Sequence, residues 1–82
     1  MLHRLAFSSV ALKQIQRLDP PVRDRIERAL AVSADDPQSG KPLRGPLAGK
    51  FSHRVGDWRI IYQVEGADVY VAAVAHRSSV YR

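Results

Sequence analysis

The chain has 82 residues and no cysteine, with 13 Lys plus Arg against 8 Asp plus Glu and a formal net charge of +5. That length holds one domain, residues 1–82, with a modest core, and the missing cysteines exclude disulfide and thiolate chemistry. Three scattered histidines make no metal site, no apolar run approaches a membrane span, and most of the cations are arginines, whose planar fork suits phosphate and carboxylate.

The charge favours an anionic partner, either nucleic acid or an acidic protein segment. The opening Met1-Leu2-His3-Arg4-Leu5-Ala6-Phe7 is too short for a signal peptide, so a cytoplasmic protein is expected.

Leu2 to Phe7 reads as a first strand. Ser8 or Ser9 then caps a helix that carries Val10, Ala11, Ile15 and Leu18 at helical spacing. Asp19-Pro20-Pro21 closes that helix and opens another, with Asp19 as N-cap and Pro20 at the first helical position. Val22, Ile26, Ala29, Leu30 and Ser33 form the inner face of this second helix. Arg23, Asp24, Glu27 and Arg28 form the solvated one, with Arg23 and Glu27 spaced to pair. Two helices with a tight link predict an antiparallel helical hairpin.

Asp35 to Gly40 is turn-rich, and Lys41 to Gly49 is basic and punctuated by Pro and Gly, so it reads as loop. Strands follow at about Lys50 to Val55, Trp58 to Val64 and Asp68 to Ala75. Gly56-Asp57 and Glu65-Gly66-Ala67 turn the chain between them, which makes an antiparallel meander.

Alternation sorts the strand faces. Trp58, Ile60, Tyr62 and Val64 share a face suited to packing on the helices, together with Phe51 and Val55. Lys50, Ser52, Arg54 and Arg59 then fall on the open face. In the last strand, Val69, Val71, Ala73, Ala75 and Arg77 alternate with Tyr70, Ala72, Val74 and His76. Both sets are apolar, which marks an interior strand that the pattern does not orient. Arg54 and Arg59 flank the Gly-Asp turn, so a hairpin there brings two guanidiniums to one end of the sheet, an arrangement suited to gripping phosphate.

Leu43-Arg44-Gly45, the hairpin Arg54-Val55-Gly56-Asp57-Trp58-Arg59-Ile60-Ile61-Tyr62 and the terminal His76-Arg77-Ser78-Ser79-Val80-Tyr81 occur in an order and spacing that resemble the RelE/ParE superfamily of toxins. Ala11-Leu12-Lys13 and Val22-Arg23 extend the resemblance almost end to end. It implies an α+β fold, with an N-terminal strand and an antiparallel helical hairpin packed on a small, mainly antiparallel sheet. It also implies one of two activities. RelE-type members cleave mRNA in the ribosomal A site without metal or other cofactor, and ParE-type members poison DNA gyrase. A third alternative is an inactive corepressor that only binds antitoxin.

The resemblance assigns roles residue by residue. Arg59 matches the arginine at the scissile phosphate. Arg77 and Tyr81 match a terminal pair in which the arginine clamps phosphate or acts as general acid, and the tyrosine stacks on the base and orients the attacking sugar. Lys50 matches a lysine for charge stabilisation or proton transfer. The family's second lysine on this face is Ser52 here, which leaves the general base open, with His76 as the candidate and His53 behind it. Lys41, Arg44 and Arg54 are expected to touch RNA or ribosome backbone. The implied partners are the ribosome with its mRNA and a small cognate antitoxin (RelB-like or another type), with operator DNA bound only through the antitoxin. The sequence stops soon after Tyr81, so the C-terminal helix carried by some relatives is expected to be absent or reduced.

Overall fold

The computed structural model describes residues 3–77. Strand β1 (Arg4–Phe7) leads into helices α1 (Ser9–Gln16) and α2 (Pro20–Asp35). Strands β2 (Lys41–Pro42), β3 (Phe51–Val55), β4 (Trp58–Glu65) and β5 (Asp68–His76) follow. The sheet runs β1-β5-β4-β3-β2. β3, β4 and β5 form the expected meander, and β1 adds to β5 in parallel. The α+β class and the helical hairpin are those predicted.

Local chemistry accounts for the helix boundaries. Ser8 is extended and its hydroxyl accepts from Ala11 N–H at 3.0 Å, a side-chain N-cap for α1. Asp19 takes the N-cap position of α2 without a side-chain cap bond, and Pro20 follows it. The core joins Ala11, Leu18, Ile26, Ala29 and Leu30 from the helices to Ile60, Tyr62, Val69, Val71 and Val74 from the sheet. Phe51, Val55 and Trp58 pack against it. Val10 was expected inside and is 55% exposed, because the short α1 turns only Ala11 fully inward. Val64 is also open, as β4 runs past the helical layer there.

The two-faced apolarity of β5 has a specific cause. Ile61 pairs with Ala73 but Tyr62 pairs with Val71, so Ala72 is one residue in excess, a β-bulge. Val69 and Val71 face the helices before it, and Val74 and His76 face them after it. The simple alternation expected for the strand is therefore broken, and Arg77 follows Ala73 and Ala75 on the open face. Two α1-side groups satisfy backbone atoms freed at this break: Ser8 Oγ donates to Ala72 O at 2.7 Å, and Gln14 Oε1 accepts from Val74 N at 2.6 Å.

The stretch read as loop holds the two-residue edge strand β2, paired with Phe51 and Ser52, and a short 3-10 turn at Gly45–Leu47. A second 3-10 turn, Pro37–Ser39, sits beneath the sheet, where buried Tyr62 donates its hydroxyl to Pro37 O at 2.5 Å.

Candidate phosphate-binding cleft

The β3–β4 hairpin turns at Gly56, whose φ of 60° is a left-handed conformation that glycine adopts without steric cost. The tight turn puts Arg54 directly opposite Arg59 in the ladder, and Arg59 is in turn opposite Ala75 of β5. Both arginines stand on the face away from the helices. Arg54 Nε donates to Gly56 O at 3.2 Å, which folds its side chain over the turn. Arg77 is brought in from the end of β5, with its N–H donating to Asp57 O at 2.7 Å. Its Nη1 lies 3.8 Å from the Asp57 carboxylate.

The result is a cleft of about 240 Å³ lined by Arg54, Gly56, Asp57, Trp58, Arg59 and Arg77. Three guanidiniums against one carboxylate leave a net positive site. It offers forked donors to a phosphodiester and to the extra charge of a pentavalent phosphorus.

Other residues singled out in the sequence lie elsewhere. Lys50 shares the open face, but its Nζ donates to Gln63 Oε1 at 2.7 Å, and Gln63 bonds on to Glu65. It sits four residues from Arg54 along the strand, roughly 13 Å away. Ser52, at the position of the missing second lysine, is buried beside Lys41 of β2.

His76 remains within β5 and packs edge-on against Trp58, with ring centroids 5.1 Å apart. It pairs with Trp58 in register, so it faces the helices, across the sheet from Arg59. His53 also points inward, with Nδ1 3.3 Å from Ser33 Oγ. Lys41 and Arg44 border a separate hollow with Pro42 and Leu43 at the β2 edge. Arg23 bonds Leu18 O at 3.0 Å and makes no ion pair with Glu27. Tyr81 lies outside the described residues.

Asp57 is the cleft residue that sequence reasoning did not single out. Its signal was its place in the Gly-Asp turn between two arginines. Trp58, read as core, also forms part of the cleft wall.

No helix among the described residues is long and apolar enough to cross a membrane. The family model for the ParE toxin of type II toxin–antitoxin systems matches residues 5–81. Toxin RelG of Mycobacterium tuberculosis is 34% identical, over 100% of this chain and 99% of its own. Among solved structures, a chain of the RelBE2 toxin–antitoxin complex from M. tuberculosis superposes with a TM-score of 0.83. It is 31% identical, over 94% of this chain and 100% of that one. The isolated RelE toxin of E. coli superposes with a TM-score of 0.78 at 26% identity, over 96% of this chain and 90% of that one. The chain belongs to the RelE/ParE toxin family of type II toxin–antitoxin systems.

Proposed function

We propose that this toxin is a ribosome-dependent endoribonuclease that cleaves mRNA in the A site. The observation that carries the reading is the convergence of Arg54, Arg59 and Arg77 on one cleft at the hairpin tip. In this reaction the 2′-hydroxyl attacks the adjacent phosphorus, the bond to the 5′-oxygen breaks, and a 2′,3′-cyclic phosphate remains. The proton leaving the 2′-hydroxyl and the one reaching the 5′-oxygen are exchanged with water or a nearby side chain.

Arg59 and Arg77 stabilise the phosphorane, and Arg54 holds the flanking backbone. Lys50, Lys41 and Arg44 extend the cationic track along the open face and the β2 edge. Tyr81 stacks on the RNA base. His76, turned toward the helices, becomes a base only if the end of β5 rearranges. Catalysis here rests mainly on charge stabilisation and on the geometry the ribosome gives the mRNA.

A cognate antitoxin neutralises the toxin. The support is that RelE relatives are found in RelBE toxin–antitoxin complexes. That partner is small and acidic or amphipathic, wraps the toxin, and carries any binding to operator DNA.

The test is 5′-end mapping of mRNA on programmed ribosomes, with wild type and the double variant Arg59→Ala, Arg77→Ala. A cut in the A-site codon by wild type alone supports the nuclease. The match to a family model described as ParE favours gyrase inhibition as the second reading. Intact mRNA together with blocked DNA supercoiling selects it.

A further inference from the structure

The solvated face of α2 carries an arginine whose surroundings differ from those of its neighbours. Arg23 is tied to Leu18 O. Arg25 projects instead to the hairpin: a methyl group built on Gly56 falls 2.8 Å from Arg25 Nη2 and 3.7 Å from its Cζ. The guanidinium occupies the space that a side chain at position 56 requires. Gly56 adopts the left-handed turn, and the flexible tip of Arg25 rests against it.

Arg25 has no compensating carboxylate. The residues three and four positions away on the helix are Pro21, Val22, Arg28 and Ala29. Asp57, next to Gly56, pairs with Arg77, and no salt bridge among the described residues includes Arg25. An exposed guanidinium without an ion pair thus rests against Gly56, a residue that lines the cleft holding the other three. It approaches from the helical side of the turn, whereas Arg54 folds over Gly56 O.

We infer that Arg25 is a further RNA-binding residue, which grips a backbone phosphate outside the scissile bond and extends the cleft around the hairpin tip onto α2. This inference rests on the nuclease reading. A contact of this kind positions the RNA without reading its sequence. It acts on binding rather than on the chemical step, because Arg25 is not among the groups that face the reacting phosphorus. The ligand chemistry is a ribonucleotide phosphodiester, supplied either by the mRNA or by ribosomal RNA.

The experiment compares wild type, Arg25→Gln, Arg25→Lys, Arg59→Ala and, as a control for loss of charge alone, Lys13→Ala. One arm measures binding of a short single-stranded RNA with a 2′-deoxy nucleotide at the cleavage position, across a salt series. The other measures kcat and KM for A-site cleavage on programmed ribosomes. For Arg25→Gln, loss of one phosphate contact predicts about fivefold weaker binding near 0.1 M salt and a salt slope smaller by about 0.7. KM should rise by a similar factor with kcat unchanged. Arg25→Lys should keep most of the affinity, and Lys13→Ala should match wild type.

A shift in both arms assigns the contact to mRNA, and a shift on ribosomes alone assigns it to ribosomal RNA; either supports the inference. Arg25→Gln behaving as wild type or as Lys13→Ala in both arms, while Arg59→Ala abolishes cleavage, overturns this inference and leaves the nuclease reading intact. Full cleavage by Arg59→Ala overturns the nuclease reading itself.

Discussion

Arg77 is held to Asp57 at two points, a 2.7 Å bond from its backbone N–H to the Asp57 carbonyl and a 3.8 Å approach of its guanidinium to the carboxylate. The backbone bond fixes where the chain leaves β5. The side-chain contact joins two groups that are each 62% exposed, so it contributes little stability. Its effect is electrostatic: a carboxylate inside a cationic cleft opposes an incoming phosphate. Asp57→Asn should leave the melting temperature nearly unchanged and tighten binding of single-stranded RNA. The gain should shrink as salt rises. Fluorescence anisotropy across a salt series checks this, and weaker RNA binding would show that the carboxylate is needed to orient Arg77.

Arg59 faces Arg54 across the ladder and lines the same cleft. Removing one preorganised donor from a phosphorane typically costs about 10²–10³ in rate. On the proposed nuclease reading, Arg59→Ala should lose A-site cleavage by that factor on programmed ribosomes, while circular dichroism and thermal melting stay as in wild type.

Burial pushes the Tyr62 phenol above its ordinary value of 10.0, and the Asp36 carboxylate adds to the rise. Hydrogen bonds with Ser33 and the Gly40 backbone work against it. Because the folded value exceeds the unfolded one, the stability linked to this proton is intact below about pH 10 and lost as pH rises through the folded value. Thermal melts between pH 8 and 11.5 should fall at the alkaline end for wild type. Tyr62→Phe should flatten that limb, at a cost of about 1 kcal/mol near neutrality from the lost bond to Pro37 O.

Gly40 lacks a side chain for lack of space. A Cβ there would collide with the Tyr62 hydroxyl and lie 3.2 Å from Ser52 O. Gly40→Ala should destabilise the fold by about 1–3 kcal/mol. Combining it with Tyr62→Phe should recover part of the loss, since that change removes the nearest obstructing atom. Denaturant unfolding of the double-mutant cycle measures the recovery.

Gln14→Ala strips the acceptor from Val74 N at the β5 break. Leaving that amide unsatisfied should cost about 1–3 kcal/mol. Hydrogen exchange at Val74 should speed up more than at Val69, five residues back along β5 and outside the break.

The sequence carried the helical hairpin and the meander because their signals are local: Ser8 and Asp19-Pro20 at the helix starts, Gly56-Asp57 at the turn. The pairing of Arg54 with Arg59 followed from that turn and from side-chain alternation. What alternation alone misses is an irregularity. With Ala72 in excess, Val71 and Val74 both face inward, and the faces of β5 cannot be assigned from its pattern. The β2 strand escaped notice because two residues, one of them proline, have no periodicity. The distance between Lys50 and the cleft was hidden for another reason: sharing a face does not imply sharing an end of the strand. Asp57 in the cleft wall and Arg25 beside Gly56 depend on where Arg77 emerges and how α2 lies across the hairpin, and neither is encoded locally.

The surplus residue in β5 makes the protein unequally tolerant of changes in chain length. Deleting one residue between Val71 and Val74 can restore regular pleating, with the valines still inward and Arg77 still beside Arg59, at the expense of the Ser8 and Gln14 bonds. Inserting one there also leaves both valines inward, but it sets three residues of β5 against Ile61 alone, so it must enlarge the kink or slide Arg77 two residues out of register with the hairpin. Variation in length among homologues at this point should accordingly run toward loss rather than gain.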